Sequence, residues 1–390
     1  MKHKPFHRWP IGATLLVLTA AWLSLALAIP IQTGHFYRIW TSSRRHTVHP
    51  AQFFRLDPFR DGSSEYRGPT KGTIDWKYCA RSTIFSSPVV SKSGIIAVGS
   101  QDDRLHAVDS SGTLLWTFHA NDDIDSSPCL DDQGNLYVGS DDDHVYSLTS
   151  KGTLRWKFKT GGDIRCGPVI DSRGHVLVVS FDGFLYALTR DGNLLWKTSV
   201  GRRLYSSPTL DRNGNIYIPG QGTTFLSISP AGTVRWTLDV GSPIHYSTAA
   251  MAPWGTLYVG TDRGTLVALS PSGKKQWVLR LKRGVRASPA ITPSGIIVVG
   301  DTGDRIYGLS RSGKILWTVQ TGDDIRSSPV VDSTGRIYVG SEDDYIYGIT
   351  AQGTVFMKVS IGDDVDSSPV IGPGGVLYVG ADTGCLYAIR

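Results

Sequence analysis

The chain has 390 residues, 40% of them hydrophobic and 19% charged, with a formal net charge of +6. That excess does not point to nucleic acid: residues 1–72 carry ten Lys and Arg against Asp57, Asp61 and Glu65, and the remainder is close to neutral. Four cysteines, Cys79, Cys129, Cys166 and Cys385, are dispersed without an adjacent pair.

In chain order, residues 9–37 contain no Asp, Glu, Lys or Arg. The strongest apolar run, Ile11 to Ile31, is long enough to cross a bilayer, with Lys2, Lys4 and Arg8 on the cytoplasmic side. Ala26-Leu27-Ala28 is equally a small-residue cleavage pattern. Segment 1–31 therefore reads as a cleaved signal peptide or an uncleaved membrane anchor. Both place the rest on the periplasmic or extracellular side, anchored or secreted. No cysteine lies near the run, so a lipid anchor there is excluded. Residues 32–72 read as linker and lead-in, and 73–390 as one repeat domain.

The repeat has two markers. One is the Pro of Ser-Ser-Pro, at Pro88, Pro128, Pro168, Pro208, Pro289, Pro329 and Pro369. The other is an aromatic, at Trp76, Trp116, Trp156, Trp196, Trp236, Trp277 and Trp317, replaced by Phe356-Met357 in the last copy. Both step by 40, except for one step with an extra residue between Trp236 and Tyr258. Each copy holds four short runs rich in Val, Ile, Tyr and Trp, punctuated by Gly, Asp and Asn. Eight four-stranded units of this length predict an all-β, eight-bladed propeller, with strands of four to seven residues. The first Trp precedes the first Ser-Ser-Pro, and the last copy stops one strand short. Residues 73–78 are therefore expected to supply the outer strand of blade eight, closing the ring without an open edge.

The stretch Ala-x-(Asp/Ser/Thr)-x-x-Gly-x-x-x-Trp, as in AVDSSGTLLW (107–116) and ALTRDGNLLW (187–196), resembles the tryptophan-docking motif of pyrroloquinoline-quinone (PQQ) type propellers. The resemblance covers 73–390, and FFRLDPFRDGSSEYRGP (53–69) is similar to the lead-in of exported members. The family includes quinoprotein dehydrogenases and the propeller lipoprotein of the bacterial outer-membrane assembly machine. It implies that the seven tryptophans dock blade on blade. Trp116, Trp156, Trp196, Trp236 and Trp317 are expected to be buried there, and Trp9, Trp22 and Trp40 to lie outside the propeller.

Most of the chain's 34 acids fall in the turns entering the innermost strands and between strands two and three. In this architecture those turns share one face. Many are turn residues, because Asp bonds its own backbone; their summed field would still favour a cationic partner. Within the innermost strand most slots repeat, but one varies: Phe85, Asp125, Arg165, Tyr205, His245, Arg286, Arg326, Asp366. If the extra residue sits earlier, Tyr246 replaces His245. These side chains are expected to ring the mouth of the central channel, as a ligand site or as groups that only pair with each other.

Catalytic signals are weak. The quinoprotein dehydrogenases carry a vicinal cysteine pair on the quinone and a calcium held by acids over the channel; here no cysteines are adjacent and no calcium ligands can be placed. Blade insertions that would build a closed chamber are missing, since every spacing is 40 or 41. The propeller's histidines, His106, His119, His144, His175 and His245, lack metal-ligand spacing. PQQ and calcium are thus not supported by residues, and no metal is assigned. The favoured reading is an exported, non-enzymatic, monomeric propeller that binds a protein, peptide or envelope polymer. The partner would meet the acidic face and channel mouth, or add a strand to an outer edge. The alternative is a PQQ-dependent oxidoreductase or a degenerate relative.

Cys385 takes the third-strand slot of Arg104, and Cys79 the fourth-strand slot of His119. A two-residue hairpin loop, Ser111-Gly112, would make 104 face 119 and let Cys79 and Cys385 bond in an oxidising compartment. A three-residue loop with a bulge would leave them diagonal. Cys129 and Cys166 are expected to stay reduced.

Overall fold

The computed structural model describes residues 57–390. Segment 1–31, with its signal or anchor, lies outside the described residues, as do Trp9, Trp22 and Trp40. Among the described residues no helix is long and apolar enough to cross a membrane.

Among the described residues, thirty-two strands form eight antiparallel sheets of four. Blade one consists of Val89–Val90, Ile96–Ser100, Arg104–Val108 and Leu114–His119. Its second and third strands are buried almost throughout, whereas the fourth alternates exposed and half-buried. The middle strands are covered on both faces by neighbouring blades, so their apolar residues run on without alternation; period two returns only at the rim.

The innermost strands have only two residues each, as in Cys129–Leu130 and Val330–Val331, not the expected four to seven. The Ser-Ser-Pro segment leading into them bonds sideways instead of joining its own ladder. Ser86 Oγ donates to the Ser126 carbonyl (3.1 Å) and accepts from the Gly99 amide (3.1 Å). Ser87 N–H donates to Ser127 Oγ (3.0 Å), and Ser368 N–H to Ser87 Oγ (3.0 Å), which carries the belt across the closure. The repeated serines are thus staples between blades, and the proline that follows has no N–H to leave unpaired.

Blade eight combines Val370–Ile371, Leu377–Gly380 and Cys385–Ile389 with the N-terminal strand Ile74–Cys79. Its hairpin geometry is the same as in the covalent hairpins. In blade one the chain turns through Ser110-Ser111-Gly112, with Asp109 N–H on the Thr113 carbonyl and Gly112 at φ 82°. A bulge at Ala107/Val108 then takes up the odd residue, so Arg104 faces His119. The loop is longer than two residues and a bulge is present, yet the two offsets cancel. In blade eight the same bulge lies between Ile74 and Trp76, and Cys79 faces Cys385. Their sulfurs are bonded, with Cα atoms 3.9 Å apart. Cys129 and Cys166 are free and buried.

The lead-in crosses the floor of the disc. Carbonyls of Pro58, Phe59, Asp61 and Gly62 accept from the amides of Leu210, Met251, Ile291 and Val331, at the ends of four successive innermost strands. Arg60, fully buried, donates to the carbonyls of Gly167 (3.3 Å), Pro168 (3.2 Å) and Pro208 (3.2 Å). Burial lowers its pKa to about 10.

Candidate binding site at the channel mouth

The slot that varies among the copies does ring one open end of the channel. Phe85, Asp125, Arg165, Tyr205, Tyr246, Arg286, Arg326 and Asp366 line a cavity of about 350 Å³, with Ser87, Ser127 and their counterparts beneath. Tyr246 holds the position, not His245. Ile244 and Ser247 keep the places that Ile325 and Ser327 hold in blade seven, so His245 is the inserted residue. It is extruded, with its carbonyl on Tyr205 N–H and its ring on Asp262.

The ring is organised as charge and aromatic sectors. Arg165 lies between Asp125 (3.4 Å) and Asp141 (2.5 Å). Arg326 lies between Glu342 (2.5 Å) and Asp366 (3.6 Å). Tyr205 and Tyr246 stack with ring centres 4.7 Å apart. Arg286 lies 4.9 Å over the Tyr246 ring and, among the described residues, has no carboxylate at ion-pair distance. Phe85 and Tyr246, four blades apart on the ring, are exposed apolar surface.

A second tier escaped the sequence reading. The turn between strands two and three carries Gln101, Asp141, Phe181 and Glu342 in equivalent places. Gln101 donates to Asp125 (3.2 Å), Asp141 holds Arg165, and Phe181 meets Tyr205 edge-on at 4.9 Å. Each of these three reaches the first-tier residue of the next blade, 24 positions later, whereas Glu342 pairs with Arg326 of its own blade. This slot also varies among the copies, and that was the signal that could have found it.

Burial, then the neighbouring Asp366, pushes Glu342 up to about 7. Burial, then Asp366 and Asp364, does the same to Asp382, also to about 7. Asp141 rises to about 7 through burial, against the pull of Arg165. The acidic turns around the mouth gather in threes: Asp103 with Asp122 and Asp123, Asp304 with Asp323 and Asp324, Asp344 with Asp363 and Asp364. Burial and their neighbours raise Asp123, Asp324 and Asp364. Other acids staple loops, as Asp142 does by accepting from the Asn121 amide (3.0 Å) and the Tyr146 hydroxyl.

The tryptophans stand at the rim and are half-buried, not buried, because the outer strand has one open face. Each lies on the hairpin glycine of the next blade: Trp76 on Gly112, Trp116 on Gly152, Trp156 on Gly192, Trp196 on Gly232, Trp236 on Gly273, Trp277 on Gly313 and Trp317 on Gly353. The indole N–H of Trp116 donates to the Ser150 carbonyl (3.0 Å) in the same junction. Met357 completes the circle against Gly72.

Against this geometry, the family model for outer membrane protein assembly factor BamB matches residues 66–164, 148–278 and 262–390. The chain belongs to this family. Solved structures share its fold. BamB from Moraxella catarrhalis is 17% identical, with TM-score 0.70, over 82% of this chain and 99% of that one. A europium-containing methanol dehydrogenase is 12% identical, with TM-score 0.74, over 87% of this chain and 92% of that one. The quinohemoprotein alcohol dehydrogenase from Comamonas testosteroni is 14% identical, with TM-score 0.75, over 91% and 82%. No curated protein matches the chain.

Proposed function

We propose that this BamB-family propeller is an exported, non-enzymatic binding module. It takes a protein, peptide or polymer of the cell envelope at its acidic face and channel mouth. One observation carries the reading: the varied ring surrounds a cup on the face opposite the one the lead-in and Arg60 cross, and among the described residues its Arg286 has no carboxylate at ion-pair distance. Such a cup suits a side chain or terminus reaching in from a docked partner. A ligand carboxylate would be gripped by Arg286, while basic groups of the same partner would face the aspartate trios. The test replaces Arg165, Arg286 and Arg326 by Ala. The fold should persist, because these groups sit at a wet rim, and capture of the partner from envelope extracts should fall. Unchanged capture of every partner would end the proposal.

The dehydrogenase folds favour a second reading, a PQQ-dependent oxidoreductase. The donor set does not fit it. Asp125 and Asp366, the ring acids, are engaged by Arg165 and Arg326, and the chain's disulfide joins the rim strands of blade eight, not two neighbouring residues over the channel. Purified protein with calcium and PQQ should reduce no dye with alcohols or sugars; dye reduction would favour this second reading.

A further inference from the structure

In every blade one residue of strand two lies opposite the first residue of the innermost strand: Ala97, Tyr137, Leu177, Tyr217, Tyr258, Val298, Tyr338 and Tyr378. Five are tyrosines, all buried. Tyr137 and Tyr217 give their hydroxyl hydrogens to Asp131 (3.0 Å) and Asp211 (2.9 Å), and Tyr338 to the Pro69 carbonyl (2.8 Å). Where the ring is lacking, other groups close the groove. In the blade of Leu177, Arg173 reaches over to the Pro230 carbonyl (3.1 Å). In the blade of Val298, Pro293 comes up to Gly335 of the next blade.

At Ala97, among the described residues, the ring's place is left as space. The groove between blades one and two holds a cavity of about 220 Å³, with Ile95, Ala97, Leu130 and Leu136 as its apolar floor and Ser91 and Lys92 on its rim. Ser91 occupies the slot that Asp131 fills in blade two. Asp131, Asp132, Gln133 and Ser150 also line the cavity, so an apolar floor meets polar walls, and its volume exceeds the ~150 Å³ in which an enclosed apolar cavity accepts benzene. The bonds of the described lead-in to the floor run to blades three through eight, away from this groove.

We propose that this cavity binds a monocyclic phenol, free or as the tyrosine side chain of a peptide. The ring would rest on Ala97 and the hydroxyl would point to the Ser91 rim, as Tyr137 and Tyr217 point theirs to Asp131 and Asp211. The site lies on the face opposite the channel mouth and stands independently of the function proposed there.

The experiment uses the full chain, with ligand-observed NMR and calorimetry, and two probes: p-cresol and the tripeptide Gly-Tyr-Gly. Saturable binding of p-cresol is expected, weakened at least tenfold in Ala97→Tyr, where the chain supplies the ring. Ala97→Val, the residue blade six carries, is the second variant and should weaken binding in the same direction without new bulk beyond what the repeat accommodates. Tripeptide binding with the same sensitivity marks a peptide as the source, and its absence a free phenol. Failure of p-cresol to saturate, or binding undiminished by both variants, would overturn the proposal.

Discussion

Cys79 and Cys385, 306 residues apart in sequence, face each other across the sheet whose strands come from opposite ends of the propeller, and they are bonded. A cross-link that closes so long a loop restricts the unfolded chain more than the folded one. The chain-entropy model puts its stabilisation at about 5 to 6 kcal/mol, as a ceiling. Cys79→Ala with Cys385→Ala is expected to keep the fold, since strand pairing and docking remain, and to melt several degrees lower than the parent without reductant. Reductant should lower the parent alone. Equal melting of parent and variant would mean that the ladder closes the ring unaided.

Docking at the rim gives the second expectation. Trp196→Ala leaves Gly232 without its partner, and because the indole is only half-buried the cost should lie near the low end for an aromatic truncation, about 3 kcal/mol. Gly232→Ala attacks the same junction from the other side. A Cβ there would lie 2.6 Å from the indole, at a residue with φ 83°. Chemical denaturation should show both variants destabilised; parental midpoints would contradict the junction.

Arg60 concerns the floor. Arg60→Ala would strand the carbonyls of Gly167, Pro168 and Pro208 away from water, a loss of about 2 to 4 kcal/mol. Hydrogen exchange should rise in residues 57–69 and at the floor ends of blades three and four, with the outer strands unchanged. Uniform exchange identical to the parent would show that the lead-in does not rest on this side chain.

The mouth should also respond to pH. Asp382 has a folded pKa raised to about 7 by burial and its acidic neighbours, and its Oδ1 is buried without a hydrogen-bond partner. A raised carboxyl binds a proton that the unfolded chain has already released, so its contribution is favourable at low pH. That contribution is lost as pH rises from about 4 to about 7. Asp382→Asn should therefore melt about 1 to 2 °C higher than the parent at pH 8 and no higher at pH 4. A difference independent of pH would exclude titration as its cause.

The period, the four-strand unit and the closing strand were legible because eight copies of one phrase expose every constraint that recurs. The same comparison found the mouth, since a slot that varies within a fixed frame is free of packing duty. It failed where a single insertion blurred the frame: His245 and Tyr246 cannot be told apart until the serine staple of Ser247 is seen. The contacts of Gln101, Asp141 and Phe181 are not legible in any one copy, because their partners lie in the next blade. Arg60 lies before the first copy and has no sister residue for comparison. The tryptophans were expected to be buried because docking was equated with enclosure, whereas the rim leaves one face of each open.

A partner that enters at the mouth can be trapped there by light. The most direct measurement places a photo-cross-linking residue at Tyr246, on the exposed wall of the cup, and at Asn213, exposed on the opposite face, and irradiates intact envelopes. A discrete adduct is expected from position 246, lost when Arg286 is also replaced by Ala, and none from position 213. An adduct from 213 alone, or one from 246 indifferent to Arg286, would contradict entry at the mouth.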